Sequence, residues 1–277
     1  MPQAARNFPQ FLDLHVRDVP AHPEALEQLR HGQLAGIIVR EVLPVDLMSR
    51  LVDRLAKHDP PFIATSFPPE FRSGFYGWAL DLAQPDLEEY FSHSAGFKNH
   101  LDDFLPQEFG LESYLIPLLS ALHRGWVVES PPGPQPGHRY MPTTLRHHEP
   151  GGYIPPHCEH EQLLRPAYWH LKTLVKPPVF SFVLAFSLAD SGGALEIYDK
   201  RFEELEDKHM RGHRTDISGL VDELASIRIR IGPGTLVLFD GGRHMHRLTP
   251  VEGRQVRWTM SSFMAASRDD EKIFCWG

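Results

Sequence analysis

The chain has 277 residues, 42% of them hydrophobic and 23% charged, so it can bury a full core without disulfides, and whole-chain disorder, collagen and coiled coil are excluded. Lys and Arg number 28 against 36 Asp and Glu, a formal net charge of −8, which argues against a globally basic nucleic-acid binder. No apolar run approaches the ~18 residues of a membrane span, and the two cysteines, Cys158 and Cys275, suit a reducing cytoplasm.

No apolar stretch of the signal-peptide kind follows Met1–Asn7, so a cytoplasmic location is expected. A short helix is predicted over Ala25–Leu29 and a strand over Gly36–Arg40. Leu47, Leu51 and Leu55 recur every four residues beside Met48 and Val52, which predicts an amphipathic helix over Val45–Leu55, started by Pro44. Asp86–Leu105 reads as two helices broken near Gly96, and Leu111–Leu122 as another. Residues 1–125 are therefore expected to be mainly helical. Ser130–Gly137 carries four prolines in eight residues and must be a loop.

Beyond it the pattern is strand-like. Leu145–His148 ends at the turn Glu149-Pro150-Gly151-Gly152. Val179–Leu188 stops at Asp190-Ser191-Gly192-Gly193 and Ala194–Tyr198 resumes, which predicts a hairpin. The charged run Glu203–Arg214 reads as a solvated loop or helix, or a lid over a site. Strands are predicted at Ile227–Ile231, Thr235–Phe239 and Val256–Ala265. Short strands with frequent turns suit a sandwich or barrel. A single domain over 1–277 is expected, with a β core from 138 to 277 supported by the N-terminal helices.

Seventeen histidines stand out, and two places have metal-ligand spacing. In His157-Cys158-Glu159, residues two apart on a strand share a face, so His157 and Glu159 can meet one ion while Cys158 points away as a buried thiol. The second place is Gly241–Val251, holding His244 and His246. One histidine from it completes two histidines and a carboxylate, the facial set of non-haem Fe(II) oxygenases. A zinc site on His157 and His160 is an alternative, but it lacks a thiolate or histidine set at matching spacing. His147 and His148 suit structural or pocket-lining roles.

These segments resemble the 2-oxoglutarate- and Fe(II)-dependent oxygenase superfamily, nearest its prolyl-hydroxylase-like branch. The likeness is carried by Arg146–Glu159, by Ser191-Gly192-Gly193-Ala194-Leu195, by Pro233–Asp240 and by His246-Arg247-Leu248-Thr249-Pro250-Val251, in the expected order. It runs from about Leu145 to Phe263, under half of the chain. It implies an α+β, mainly β fold: a distorted double-stranded β-helix, a jelly-roll or cupin-like barrel, with supporting helices. It implies Fe(II) on His157, Glu159 and His246 as the catalytic centre, 2-oxoglutarate and O2 as co-substrates, and ascorbate as a support for activity. Glu159 stands where Asp is commoner. The halogenating branch lacks this carboxylate, so Glu159 argues against it.

The family anchors 2-oxoglutarate with a basic residue after the distal histidine, here Arg257 or Arg254. Arg257 shares a strand face with Thr259, Ser261 and Phe263, which favours it, whereas Arg254 sits in a turn. Tyr153 is a further candidate for 2-oxoglutarate or substrate, and Arg146, His148 and His244 are candidates for substrate contact. The implied function is hydroxylation of an unactivated C–H bond in a free amino acid or small natural-product intermediate, with succinate and CO2 as co-products. A peptidyl (prolyl-type) hydroxylase and a non-catalytic cupin-like metal or small-molecule binding barrel are the alternatives. The partners expected are a small-molecule substrate and a second copy as homodimer, with no nucleic acid and no membrane.

Overall fold

A computed structural model of the protein describes residues 10–80 and 87–277. Met1–Asn7 and Asp86, on which two expectations rest, lie outside them. Strand β1 (Phe11–His15) leads to helix α1 (Ala25–Arg30), strand β2 (Gly36–Arg40) and helix α2 (Val45–Ala56). Helix α2 buries Leu47, Met48, Leu51 and Leu55, the stripe its periodicity predicts. Strands β3 (Ala64–Ser66) and β4 (Ser73–Tyr76) pair as a hairpin.

Helix α3 (Glu88–Phe104) runs unbroken through Gly96, where a break was expected. Its buried row of Tyr90, Phe91, Phe97, Leu101 and Phe104 outweighs the ~1 kcal/mol that a helical glycine costs. A π-turn over Leu111–Leu115 precedes helix α4 (Ile116–Ala121), which takes Pro117 in its first turn.

The remaining chain is mostly strand: β5 (Val127–Glu129), β6 (Thr144–His148) and β7 (Ile154–His157), then helix α5 (Trp169–Leu174) and β8 (Val175–Ala185). There follow β9 (Ser191–Gly192), β10 (Leu195–Arg201), β11 (Met210–Arg211), β12 (Arg214–Thr215), β13 (Ser226–Ile229) and β14 (Leu236–Phe239). The chain closes with β15 (His244–Leu248), β16 (Val251–Glu252), β17 (Arg257–Ser267) and β18 (Lys272–Trp276). The charged run from Glu203 forms two 3-10 turns and the small β11–β12 ribbon.

Two sheets dominate. The larger has ten strands in the order β1-β2-β14-β8-β17-β6-β4-β3, with β18 beside β17 and β5 beside β18. The smaller runs β13-β10-β15-β7. Ile38, Ala185, Val237 and Phe239 of the large sheet meet Ile197 and Ile231 from the other side, so the sheets face each other. The opposite face of the large sheet, with Val39, Phe180, Leu184 and Leu238, packs on Leu26, Leu51, Leu101 and Phe104 of the helices. Burial on both faces explains the nearly continuous apolar runs of β8 and β14.

Three expectations change. The N-terminal region is not only helical, because β1 to β4 extend the large sheet at both edges. Strands of three to five residues carry too little periodicity to read alone. Strand β18 was not foreseen either. The third change concerns β8 and β10, which do not form a hairpin. Strand β8 lies between β14 and β17 in the large sheet, and β10 between β13 and β15 in the small one.

Gly192 and Gly193, with φ of 63° and 58°, carry the chain from one sheet to the other, while β9 pairs with β16. A sheet-to-sheet crossover and a hairpin present the same pattern of strand, Gly-Gly turn and strand. Gly192→Ala should lower stability by about 1–3 kcal/mol, since its Cβ would meet the Pro250 carbonyl at a left-handed φ. Gly219→Ala, with open space around its Cβ, should leave the urea midpoint unchanged.

Candidate active site

Strands β7 and β15 lie side by side in the small sheet, and their register sets His157 opposite His246. Strand β7 ends at His157, and Cys158 stays extended, with φ −143° and ψ 140°. Glu159 then opens a 3-10 helix over Glu159–Leu164. The alternation therefore survives the end of the strand: His157 and Glu159 turn inward and Cys158 turns outward. Cys158 is fully buried among Tyr198, Ile217 and Met245, and its thiol donates to the Gly242 carbonyl. Burial pushes that thiol well above its usual range, so it is an inert packing group. Glu159 is fixed from the other side by its backbone N–H, which donates to the Gly241 carbonyl at 2.8 Å.

Ligand-capable atoms of His157, Glu159 and His246 lie within 4.8 Å of one another, and no other such group of three occurs among the described residues. Glu159 Oε1 is 3.6 Å from His157 Nε2 and 3.4 Å from His246 Nε2. Each imidazole is oriented from behind by a backbone carbonyl. His157 Nδ1 sits 2.9 Å from the Pro155 oxygen, and His246 Nδ1 sits 3.0 Å from the His244 oxygen. A carbonyl only accepts, so Nδ1 of each ring carries a proton, and Nε2 is the atom that each ring can offer a metal at the centre. Ser181 Oγ donates to Glu159 Oε1 at 3.1 Å, and Gln162 Nε2 donates to Oε2. This donor set, with its supporting hydrogen bonds, fits a divalent transition metal on one face. His160 lies apart, its Nε2 toward the Val179 N–H at 3.4 Å, so the zinc alternative has no assembled site.

The electrostatics agree with the geometry. Burial opposes ionisation of Glu159, yet hydrogen bonds with His157 and His246 hold its carboxyl well below the usual range. Burial likewise opposes charging of His157, but Glu159 outweighs it and raises the imidazole above its ordinary value. His246 is depressed, by burial and by the nearby His157. Without metal the carboxylate holds a proton on His157, and a bound cation takes that proton's place.

The cluster sits in a cavity between the two sheets, about 770 Å³ counting its open mouth. Register lays out its floor, because residues opposed across antiparallel strands share a face. His148 faces Arg257, Arg146 faces Thr259, Ser261 faces Val183, and Phe263 and Phe239 flank Ser181. One end of this floor is polar and cationic, and the other holds the hydroxyl that braces Glu159.

Arg257 is 6% exposed, and no acidic side chain among the described residues lies within ion-pair distance of it. Burial, then the charge of Arg146, pulls its guanidinium down to about 10. A buried fork of N–H donors without a counter-charge is costly unless an anion completes it. His148 is buried too, and neither ring nitrogen has a hydrogen-bond partner among the described residues. Burial, then Arg257 and Arg146, keeps it neutral.

The other candidates fall outside the cavity. Arg254 is exposed in its turn, with its backbone N–H donating to Asp190 at 2.6 Å. Tyr153 sets its ring edge-on to Phe71 at 5.5 Å. His244 is buried against Asp240 and Tyr198 and acts on the site through its carbonyl. No residue of the Glu203–Arg214 run is among the described residues that line the cavity.

Ser181, Gln162 and Gly241 were not singled out from the sequence. A lone serine in the apolar run Val179–Leu184 was the available signal for Ser181. Gly241 is required by close approach, since a Cβ there would come within 2.6 Å of Ser181 Oγ, 3.0 Å of Glu159 Cγ and 3.1 Å of His246 Cε1.

A family model described as "Carrier-protein-independent halogenase WelO5" matches residues 8–277. No curated protein matches the sequence. Among solved structures, an N-substituted L-amino acid dioxygenase from Burkholderia ambifaria AMMD superposes with a TM-score of 0.57 at 17% identity, covering 91% of this chain and 90% of that one. The same protein in complex with alpha-KG gives 0.55 at 16%, covering 92% and 91%. At these identities the likeness is one of fold. A Pseudomonas putida prolyl-4-hydroxylase gives 0.41 at 12%, covering 88% and 96%.

Metal binding should depend on these supports. Ser181→Ala should weaken Mn(II) affinity about 10- to 100-fold by calorimetry, and Gly241→Ala at least as much. Protonated imidazole cannot ligate, and His157 holds its proton above the ordinary range. Affinity should therefore fall as pH drops through that raised value, by about tenfold per pH unit while one proton is displaced.

Proposed function

The chain belongs to the family described as carrier-protein-independent halogenase WelO5, within the 2-oxoglutarate- and Fe(II)-dependent oxygenases, and on that premise we propose that it hydroxylates an unactivated C–H bond of a small molecule. The substrate on this reading is a free amino acid or small natural-product intermediate. The observation that carries the proposal is the complete triangle of His157, Glu159 and His246, with its carboxylate retained, beside the buried Arg257, which has no acidic partner among the described residues. We read the two facing sheets as the distorted double-stranded β-helix.

In this reading His157 and His246 present Nε2 and Glu159 presents a carboxylate oxygen to Fe(II). Arg257 pairs through its fork with the far carboxylate of 2-oxoglutarate. Iron, 2-oxoglutarate and O2 together supply the oxidising power, with succinate and CO2 as co-products. The protein's work is placement. Ser181 and Gln162 hold Glu159, and two backbone carbonyls fix the histidine tautomers. The apolar walls, among them Leu188, Leu195, Ile229 and Ile231, keep bulk water from the reacting carbon. A merely binding barrel has no need of Arg257.

Halogenation is the second reading, favoured by the description of the matched family. Glu159 counts against it, because the carboxylate fills the metal position that a halide needs.

Anaerobic Fe(II) followed by 2-oxoglutarate should give the weak visible band of the chelate in wild type and none in His246→Ala. Arg257→Gln should keep the metal but weaken 2-oxoglutarate about 10- to 100-fold. Substrate candidates are then screened by succinate release in chloride or bromide, and product mass decides. Gain of one oxygen supports hydroxylation, whereas gain of halogen replaces it with the second reading. Iron bound without a band would refute the 2-oxoglutarate assignment.

A further inference from the structure

Resting on the reading above, we propose that His148 is a second anchor of the co-substrate and not a substrate contact: its imidazole N–H donates to the far carboxylate of 2-oxoglutarate, beside Arg257. His148 is 1% exposed, and neither Nδ1 nor Nε2 has a hydrogen-bond partner among the described residues. A neutral imidazole carries one donor and one acceptor, and burying both unmade is costly. Across its strand the ring has Arg257 of β17 on one side and Ser73 of β4 on the other, and neither takes up its nitrogens. What remains is the cavity, which His148 and Arg257 both line.

Register decides which molecule reaches this ring. Residues directly opposed on antiparallel strands share a face, with Cβ atoms about 5 Å apart. His148 is opposed to Arg257, which opens β17, whereas Phe263, six residues further along, is opposed to the Ser181 that braces Glu159. The reacting carbon of a substrate belongs at the metal end, and a carboxylate paired with Arg257 lies within reach of His148. The backbone at Gly193 confines the Arg257 stem, since an added Cβ there would come within 3.2 Å of its Cδ. Burial, then the charges of Arg257 and Arg146, keeps the imidazole neutral. A neutral ring can donate to a carboxylate without adding a further positive charge beside two arginines. With both nitrogens unengaged, either tautomer can present its N–H.

The test uses protein loaded with Mn(II), titrated calorimetrically with 2-oxoglutarate and with 2-oxopentanoate, in which a methyl group replaces the far carboxylate. Wild type should prefer 2-oxoglutarate. His148→Phe, which keeps a ring but no donor, should weaken 2-oxoglutarate about tenfold or more, the worth of a hydrogen bond to a charged group. Its affinity for 2-oxopentanoate should stay within about twofold of wild type, because that ligand has no carboxylate for the ring to hold. Equal weakening of both ligands marks a merely structural role and overturns the proposal. So does a 2-oxoglutarate affinity left unchanged in the variant. If His148→Phe does not fold, His148→Leu is read by the same two affinities. Failure of wild type to bind 2-oxoglutarate at all would instead refute the function on which this proposal rests.

Discussion

A buried carboxylate between two imidazoles is the constraint around which this protein is arranged. Glu159 is 4% exposed, and burial alone would drive it to its neutral form. It stays ionised because His157 and His246 converge on one oxygen while Ser181 and Gln162 donate to the pair. An unpaired carboxylate at this depth would cost several kcal/mol, and these partners together offset that cost. Once a bound cation takes the place of the proton on His157, the same arrangement aims the carboxylate and two Nε2 lone pairs at a single point.

That arrangement needs three remote stretches of chain to meet. His157 and Glu159 come from the end of β7, His246 from β15 and Ser181 from β8 in the other sheet. They meet only because the chain changes sheets at Gly192 and Gly193, which puts β10 and β15 opposite β8 and β17. The turn Gly241-Gly242 then passes close enough to bond Glu159 through a carbonyl, with no room for a side chain at Gly241. The helices contribute at one remove. They bury the back of the large sheet, so that its front can tolerate serine, histidine and two arginines without losing the core.

The cationic end of the cavity shows the converse of the metal site. Glu159 is a buried charge fully served by its neighbours, and Arg257 is a buried charge with no acidic partner among the described residues. The first describes a site finished by a cation and the second a site finished by an anion. The distance between them follows the strand direction of β17, whose alternate residues line the floor.

Much of this was legible in the chain itself. His157-Cys158-Glu159 displays the alternation that separates ligands from the buried thiol, and His246 precedes Arg247-Leu248-Thr249-Pro250. The stripe in α2 and the apolar runs of β8 and β14 mark the core, because periodicity is a local property. Of the two arginines that the family resemblance offers, strand parity favours Arg257 over Arg254. Tertiary structure decided what depends on partners. It turned the apparent hairpin at Gly192-Gly193 into a crossover, since sheet membership is set by distant hydrogen bonds rather than by the turn. It added β1, β3, β4 and β18 to the large sheet, as short strands are stabilised by pairing and not by their own propensity. It brought Ser181, Gln162 and Gly241 to Glu159, and it placed Arg254, Tyr153 and His244 outside the cavity. Residue chemistry and spacing are written along one dimension, whereas which face meets which, and which charge is left without a partner, exist only once the two sheets have closed.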